Sequence, residues 1–208
     1  QSTRGLTPGQ WCLFDLGKNK RFFLGYINSH VEDNRPCAYI VEESFKEIEP
    51  WKFLENKLNK AIEKRKKLFK FGSNARLVYG HGDSIPGLIV DSYKNCLFIQ
   101  INTAGIDIFR QNVQNYFEKI YPEKEVLFLD NEKYRKGEML PVFEQNESEV
   151  KSIEIEENDL QYEVEMGNKQ KIGYYYDHRI NRDRAGSMIE YISGRDSLKG
   201  LDLFCYIG

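Results

Sequence analysis

Gln170-Lys-Ile-Gly-Tyr-Tyr-Tyr-Asp-His-Arg-Ile-Asn-Arg182, followed after one predicted helix by Leu201-Asp-Leu-Phe-Cys-Tyr-Ile-Gly208, decides how this chain is read. In the first stretch Gly173 lets the backbone approach a ligand closely. The tyrosines after it can cover a heterocycle or a sulfonium, a cation drawn to ring faces. Asp177 and Arg179, two apart, can pair across the ammonium and carboxylate of a bound amino acid. The plainer alternative is an aromatic strand leading into a helix capped by Asp177. The second stretch is an apolar strand ending in a glycine-bearing turn, the way open α/β sheets present a ligand crevice at strand carboxyl ends.

Working outward, residues 180–192 have helical spacing, and 153–155 with 160–164 form a predicted hairpin across Glu156-Glu-Asn-Asp159. Residues 126–129 read as a short strand. Ile106, Phe109, Val113, Phe117 and Ile120 share one face of a helix over 106–120. Residues 76–101 hold three strands, with Ser84-Ile-Pro-Gly87 turning between the first two. From Pro50, apolar residues recur at three and four through Trp51, Leu54, Leu58, Ala61, Ile62 and Leu68, an amphipathic helix with Gly72 as its stop. Its other face carries Lys57, Lys60, Lys64 and Lys67, either a solvated surface or an RNA contact. Residues 8–42 read as short aromatic and β-branched strands between Pro8-Gly9, Gly17-Lys-Asn19 and Asp33-Asn-Arg-Pro36, which suits a small barrel or curled sheet.

With 208 residues, 40% hydrophobic and 30% charged, the chain can bury a core and is no disordered tail. A net charge of −2 excludes a polycation, but bases crowd into 57–70 and 179–184 and acids into 144–165. No apolar run approaches the roughly 20 residues of a membrane span. No basic segment precedes an apolar one in the manner of a secretory signal. The start at Gln1 points to a missing native start. Cys12, Cys37, Cys96 and Cys205 are scattered without a CxxC pair, as in a reduced cytoplasmic protein. His30, His81 and His178 lack metal-ligand spacing, so no metal site is expected.

The order of these motifs resembles the large-subunit ribosomal RNA methyltransferases that modify cytosine at carbon 5. That family's K-T-G-x-x-x-D-Q-R-x-N-R motif matches Lys171, Gly173, Asp177, Arg179, Asn181 and Arg182. Its L-D-x-F-x-Y-T-G motif matches Leu201, Asp202, Phe204, Tyr206 and Gly208. Upstream, Arg76-Leu-Val with Gly82-Asp83 and Pro86-Gly-Leu-Ile-Val-Asp91 resembles R-L-V…D-G-L-P-G-L-I-V-D, and Pro8-Gly9 with Phe23-Leu-Gly25 resembles its PUA strands. Ile172 and Ile207 replace threonines, and His178 replaces a glutamine; Asp-His-Arg also occurs in guanine-modifying relatives, which leaves the target base open.

The resemblance implies an α+β chain in three parts. Residues 1–45 would be an incomplete PUA-like β-barrel, 46–165 an α+β accessory domain, and 166–208 the first elements of a Rossmann-like methyltransferase domain. It implies S-adenosyl-L-methionine as cofactor, held by Lys171, Gly173, Asp177, Arg179, Arg182, Asp202, Phe204, Tyr206 and Gly208, and large-subunit ribosomal RNA as partner. Cytosine C5 chemistry needs a thiolate that adds to carbon 6. In the family that cysteine lies beyond the stretch matched here, so no catalytic residue is expected in this chain, and the chain alone is expected to be inactive. A non-catalytic RNA-binding module and a guanine-modifying enzyme are the alternatives, and a homodimer is left open.

Overall fold

The computed structural model describes residues 5–15, 17, 21–31, 35–44, 49–68, 74–143, 152–157, 160–165, 174 and 176–192. They form a mixed α+β arrangement of three sheets and five helices. Strands β1 (Gln10–Asp15), β2 (Phe22–Ile27) and β3 (Ala38–Glu43) make an antiparallel sheet in the order β1-β2-β3. Among the described residues this sheet is open, and closure into a barrel is not among its features.

Helix α1 (Pro50–Leu68) then leads into a four-stranded sheet of β4 (Ala75–Tyr79), β5 (Leu88–Ser92), β6 (Cys96–Ile101) and β7 (Glu125–Phe128). β4, β5 and β6 are antiparallel neighbours, whereas β6 and β7 run parallel. A parallel pair needs a crossover, supplied by α2 (Ala104–Asp107) and α3 (Arg110–Ile120). The single helix expected over 106–120 is therefore two. The amide of Phe109 bonds three residues back to the Ile106 carbonyl at 2.9 Å, a tightened turn that ends α2 before α3 begins. The short helix α4 (Glu132–Gly137), capped by the Asn131 side chain, was not expected from the sequence.

Strand alternation gives this sheet two buried faces. Leu97, Ile99 and Ile101 of β6 join Leu88 and Val90 against Leu54, Leu58, Ala61 and Ile62 of α1 and Val113 and Phe117 of α3. Cys96 and Phe98 point the other way, with Leu129, onto the hairpin β8 (Ser152–Glu157) and β9 (Leu160–Glu165), where Ile153, Ile155 and Val164 are buried. Period-two side-chain direction is the whole cause: adjacent residues of one strand serve opposite cores.

The first sheet is joined to this body by polar contacts around Tyr26, which is fully buried in the α1 core. Its hydroxyl donates to the Pro86 carbonyl at 2.7 Å, and the Trp11 indole N–H donates to the Gly105 carbonyl at 2.8 Å. Gly105 has to be glycine: a Cβ there would lie 2.0 Å from Cγ of Tyr26. The buried Glu138 carboxylate accepts from the Asn28 amide at 3.0 Å, the Tyr39 hydroxyl at 2.7 Å and the Ala104 amide at 3.2 Å. Three donors from three elements meet that charge, as a buried carboxylate requires.

Candidate functional site

The hairpin decides where the 170–182 segment sits. Along β8, Ile153 and Ile155 turn inward and Glu154 and Glu156 outward, so the same parity carries Glu157 inward, to 6% exposure. A carboxylate in that position needs cationic partners. They come from helix α5 (Arg179–Ile192). Arg179 Nε donates to Glu157 Oε2 at 3.0 Å, and Arg182 Nε and Nη2 donate to its two oxygens at 2.6 and 2.9 Å. Residues three apart share a helix face, which is why both guanidinium groups reach one carboxylate. Arg179 Nη2 also donates to the Asn74 carbonyl at 2.9 Å, tying α5 to the start of β4.

Aromatic rings complete the anchor. Tyr176 opens a short 3₁₀ turn, Tyr176–His178, and its hydroxyl donates to the Ser92 carbonyl at 2.9 Å while its ring centroid lies 5.8 Å from that of Tyr93. The Arg182 guanidinium stacks over Tyr174 at 4.3 Å and that of Arg179 over Tyr176 at 5.4 Å. Burial, and then the neighbouring charge of Glu157, push the Tyr174 phenol up to about 12. Burial also acts to raise the Glu157 carboxyl, but hydrogen bonds from Arg182 and Arg179 outweigh it and hold the group below the ordinary glutamate range.

The motif thus divides into an inner and an outer set. Tyr174, Tyr176, Arg179 and Arg182 face the hairpin and sheet. Asp177 and His178 face outward, their side chains 79% and 62% exposed and 3.8 Å apart at their nearest charged atoms. Arg179 is committed to Glu157 and Asn74, so a pincer of Asp177 and Arg179 across an amino acid is not the arrangement observed. Lys171, Gly173, Asp202, Phe204, Tyr206 and Gly208 lie outside the described residues, as does Cys205.

The upstream motif residues also hold the scaffold. Arg76 grips Asp91 across β4 and β5 through two bonds of 2.7 and 2.9 Å. Asp83 receives Arg65 of α1 at 2.6 Å and the Tyr79 amide at 2.7 Å. Glu157 was missed from sequence; its parity with two inward isoleucines was the only signal. Arg135, wholly buried, was missed too. It donates to the Ile101 and Pro141 carbonyls at 2.9 and 2.8 Å and to Asp107 at 2.8 Å, while Arg110 bridges Asp107 and Asp130.

Of the described cysteines, Cys12 is half-buried, Cys37 exposed and Cys96 buried, and burial pushes the Cys96 thiol up to about 11. Cys96 is therefore a thiol rather than a thiolate at neutral pH. Among the described residues no group of three or more His, Cys, Asp or Glu side chains could hold a metal, and no helix is long and apolar enough to cross a membrane.

No family model matches the chain. It is 32% identical to the Shewanella amazonensis protein named ribosomal RNA large subunit methyltransferase I over 136 residues, 64% of this chain and 33% of that protein. The chain thus spans about a third of the length of that relative. Two solved structures have a similar fold. One is SMU.776, provisionally described as a methyltransferase and crystallised with SAH (TM-score 0.59, 17% identity, 78% of this chain and 41% of that one). The other is a protein from Streptococcus mutans provisionally described as a SAM-dependent methyltransferase (TM-score 0.61, 16% identity, 86% and 46%). The α+β arrangement described above is therefore one that also occurs as a part of larger proteins, each described as a methyltransferase.

Proposed function

We propose that the chain serves S-adenosyl-L-methionine-dependent methylation of large-subunit ribosomal RNA, with carbon 5 of cytosine as the acceptor. The observation that carries the ribosomal-RNA part of this reading is the 32% identity over 136 residues to a protein named for that class of substrate, and the choice of carbon 5 rests on the motif resemblance. In this reading 1–45 belong to a PUA-like RNA-binding barrel, 46–165 form the accessory domain and 166–208 open a Rossmann-like methyltransferase domain.

The exposed Asp177 carboxylate, on a turn anchored through Tyr176 and Arg179, suits the ammonium of the cofactor's amino-acid end. The motif resemblance assigns Lys171, Gly173, Asp202, Phe204, Tyr206 and Gly208 to binding the same cofactor. Arg179 and Arg182 act through Glu157 as positioning residues for the Asp177 turn. When bound, the cofactor supplies an electrophilic methyl group. Burial raises the Cys96 and Cys12 thiols and so disfavours both as the nucleophile of cytosine C5 chemistry, and the isolated chain is expected to transfer no methyl group.

The sequence Asp177-His178-Arg179 supports a second reading, with guanine as the acceptor. Base-resolution mapping of large-subunit ribosomal RNA, with and without the encoding gene, tests both. Loss of one 5-methylcytosine is expected. Loss of a methylguanine selects the second reading, and an unchanged map removes both. Photolabelling of the chain with methyl-tritiated S-adenosyl-L-methionine tests the site: label is expected in peptides covering 170–182 and reduced by Asp177→Ala. Label confined to other peptides would remove the site assignment.

A further inference from the structure

The two outer faces of the four-stranded sheet's layers carry opposite charge. On the hairpin side, Glu154 and Glu163 face each other across β8 and β9, with Glu156 exposed beside them, and Glu154 is paired with Lys94 at 2.6 Å. On the α1 side, Lys52, Lys60, Lys64, Lys66 and Lys67 are exposed and Glu63 is the one exposed acid of that helix among its described side chains. Lys52 is paired with Glu49 at 3.0 Å and Lys57 with Glu42 at 3.0 Å. Lys60, Lys64, Lys66 and Lys67 have no ion-pair partner among the described residues.

A basic last turn is ordinary, because it complements the helix dipole. That accounts for Lys66 and Lys67. It does not account for Lys64 and Lys60, which sit about one and two turns back from the helix end, where the dipole effect has faded. Spacing of four and three puts Lys60, Lys64 and Lys67 in one row. At 1.5 Å rise per residue the row is about 10 Å long, the axial reach of roughly three phosphates on one strand of a duplex. The apolar face of α1 is already buried against the sheet through Leu54, Leu58, Ala61 and Ile62, so the helix has no apolar side left to enter a membrane.

We infer that Lys60, Lys64 and Lys67 of α1 form a phosphate-contacting surface for structured RNA. The inference rests on the RNA-substrate reading above and adds the face by which RNA is held. The contact is to phosphates, so it positions the RNA and carries no base preference.

The test is equilibrium binding of the 208-residue chain to deproteinised large-subunit ribosomal RNA, between about 50 and 200 mM salt. The triple variant Lys60→Gln, Lys64→Gln, Lys67→Gln is expected to bind roughly tenfold or more weakly, with the slope of log affinity against log salt reduced by about three. The triple Lys→Arg variant keeps both. Glu154→Gln with Glu163→Gln on the hairpin leaves affinity within about twofold, and thermal unfolding of each variant matches wild type because all the altered side chains are exposed. Wild-type binding that the lysine variant leaves unchanged overturns the inference and spares the RNA reading. Absence of RNA binding by the wild type overturns both. Co-sedimentation with phosphatidylserine vesicles in preference to RNA also overturns the inference.

Discussion

Helices α1, of 19 residues, and α5, of 14, are held by opposite means. α1 buries Phe53, Leu54, Leu58, Ala61 and Ile62 in the main core, and its ion pairs to other elements, Arg65 to Asp83 and Lys57 to Glu42, sit at the margin. None of the described α5 side chains is buried. Ile180, Met188, Ile189 and Tyr191 of α5 are 54%, 65%, 57% and 92% exposed. What fixes α5 is Glu157, gripped by Arg179 and Arg182, with Tyr176 bonded to Ser92 just before the helix. Hydrophobic burial is non-directional and sets the stability of α1. Hydrogen-bonded charge is directional and sets the orientation of α5. The helix that bears the proposed cofactor segment is thus the one placed by geometry more than by area.

The contrast can be broken most forcefully at Leu58, which has no exposed surface. Leu58→Ala is expected to cost about 3 kcal/mol of global stability, within the usual range for a large-to-small change in a packed core. Denaturant unfolding should show a lower midpoint with an unchanged slope. An effect under about 1 kcal/mol would mean that α1 is not held by its apolar face.

Glu157→Gln should cost less, about 1–3 kcal/mol, the scale of hydrogen bonds to a charged group. Its effect should be local: hydrogen exchange across residues 179–192 accelerates while β5 and β6 stay protected. Acid should mimic the substitution. The Glu157 carboxyl titrates below the ordinary glutamate value because the two arginines favour its ionised form over the opposing effect of burial. A lowered folded-state pKa gives a contribution that is complete above the ordinary value and lost as pH falls through the lowered one. Protection of α5, corrected for intrinsic exchange, should therefore hold at neutral pH and decline only below the ordinary glutamate range. Glu157→Gln should remove that acid step. A step that persists in the variant would assign it to another carboxylate.

Much of this arrangement was legible in the sequence. The helix from Pro50, the hairpin around residues 158–159 and the helix after His178 follow from the period of their apolar residues alone, and all are present. What escaped was pairing and charge. Residues 126–129 read as a strand, but nothing local announces that β7 lies parallel to β6. Arg135 stands in Glu132-Lys-Tyr-Arg-Lys136, a run that reads as surface, and only the fold reveals Asp107 waiting for it. Arg179 was read as a ligand contact because sequence shows spacing along a chain, not the carboxylate across from it. In the structure Arg179 donates to the inward Glu157 at 3.0 Å.

The smallest expected effect is also the one that separates the two kinds of anchor on α5. Tyr176→Phe removes a single neutral hydrogen bond, from the hydroxyl to the Ser92 carbonyl at 2.9 Å, and keeps the ring in place against Tyr93. Burial pushes that phenol well above the ordinary tyrosine value, so the hydroxyl is a donor at neutral pH. The loss should be about 1 kcal/mol, insensitive to pH and salt, and confined to faster exchange in the first turn of α5. Glu157→Gln, by contrast, should give the larger, acid-dependent loss along the whole helix. If Tyr176→Phe releases α5 as fully as Glu157→Gln does, the aromatic contact governs the helix and the arginines follow it. If it does not, the Glu157 pair is what orients Asp177, and cofactor labelling at 170–182 should fall with Glu157→Gln while surviving Tyr176→Phe.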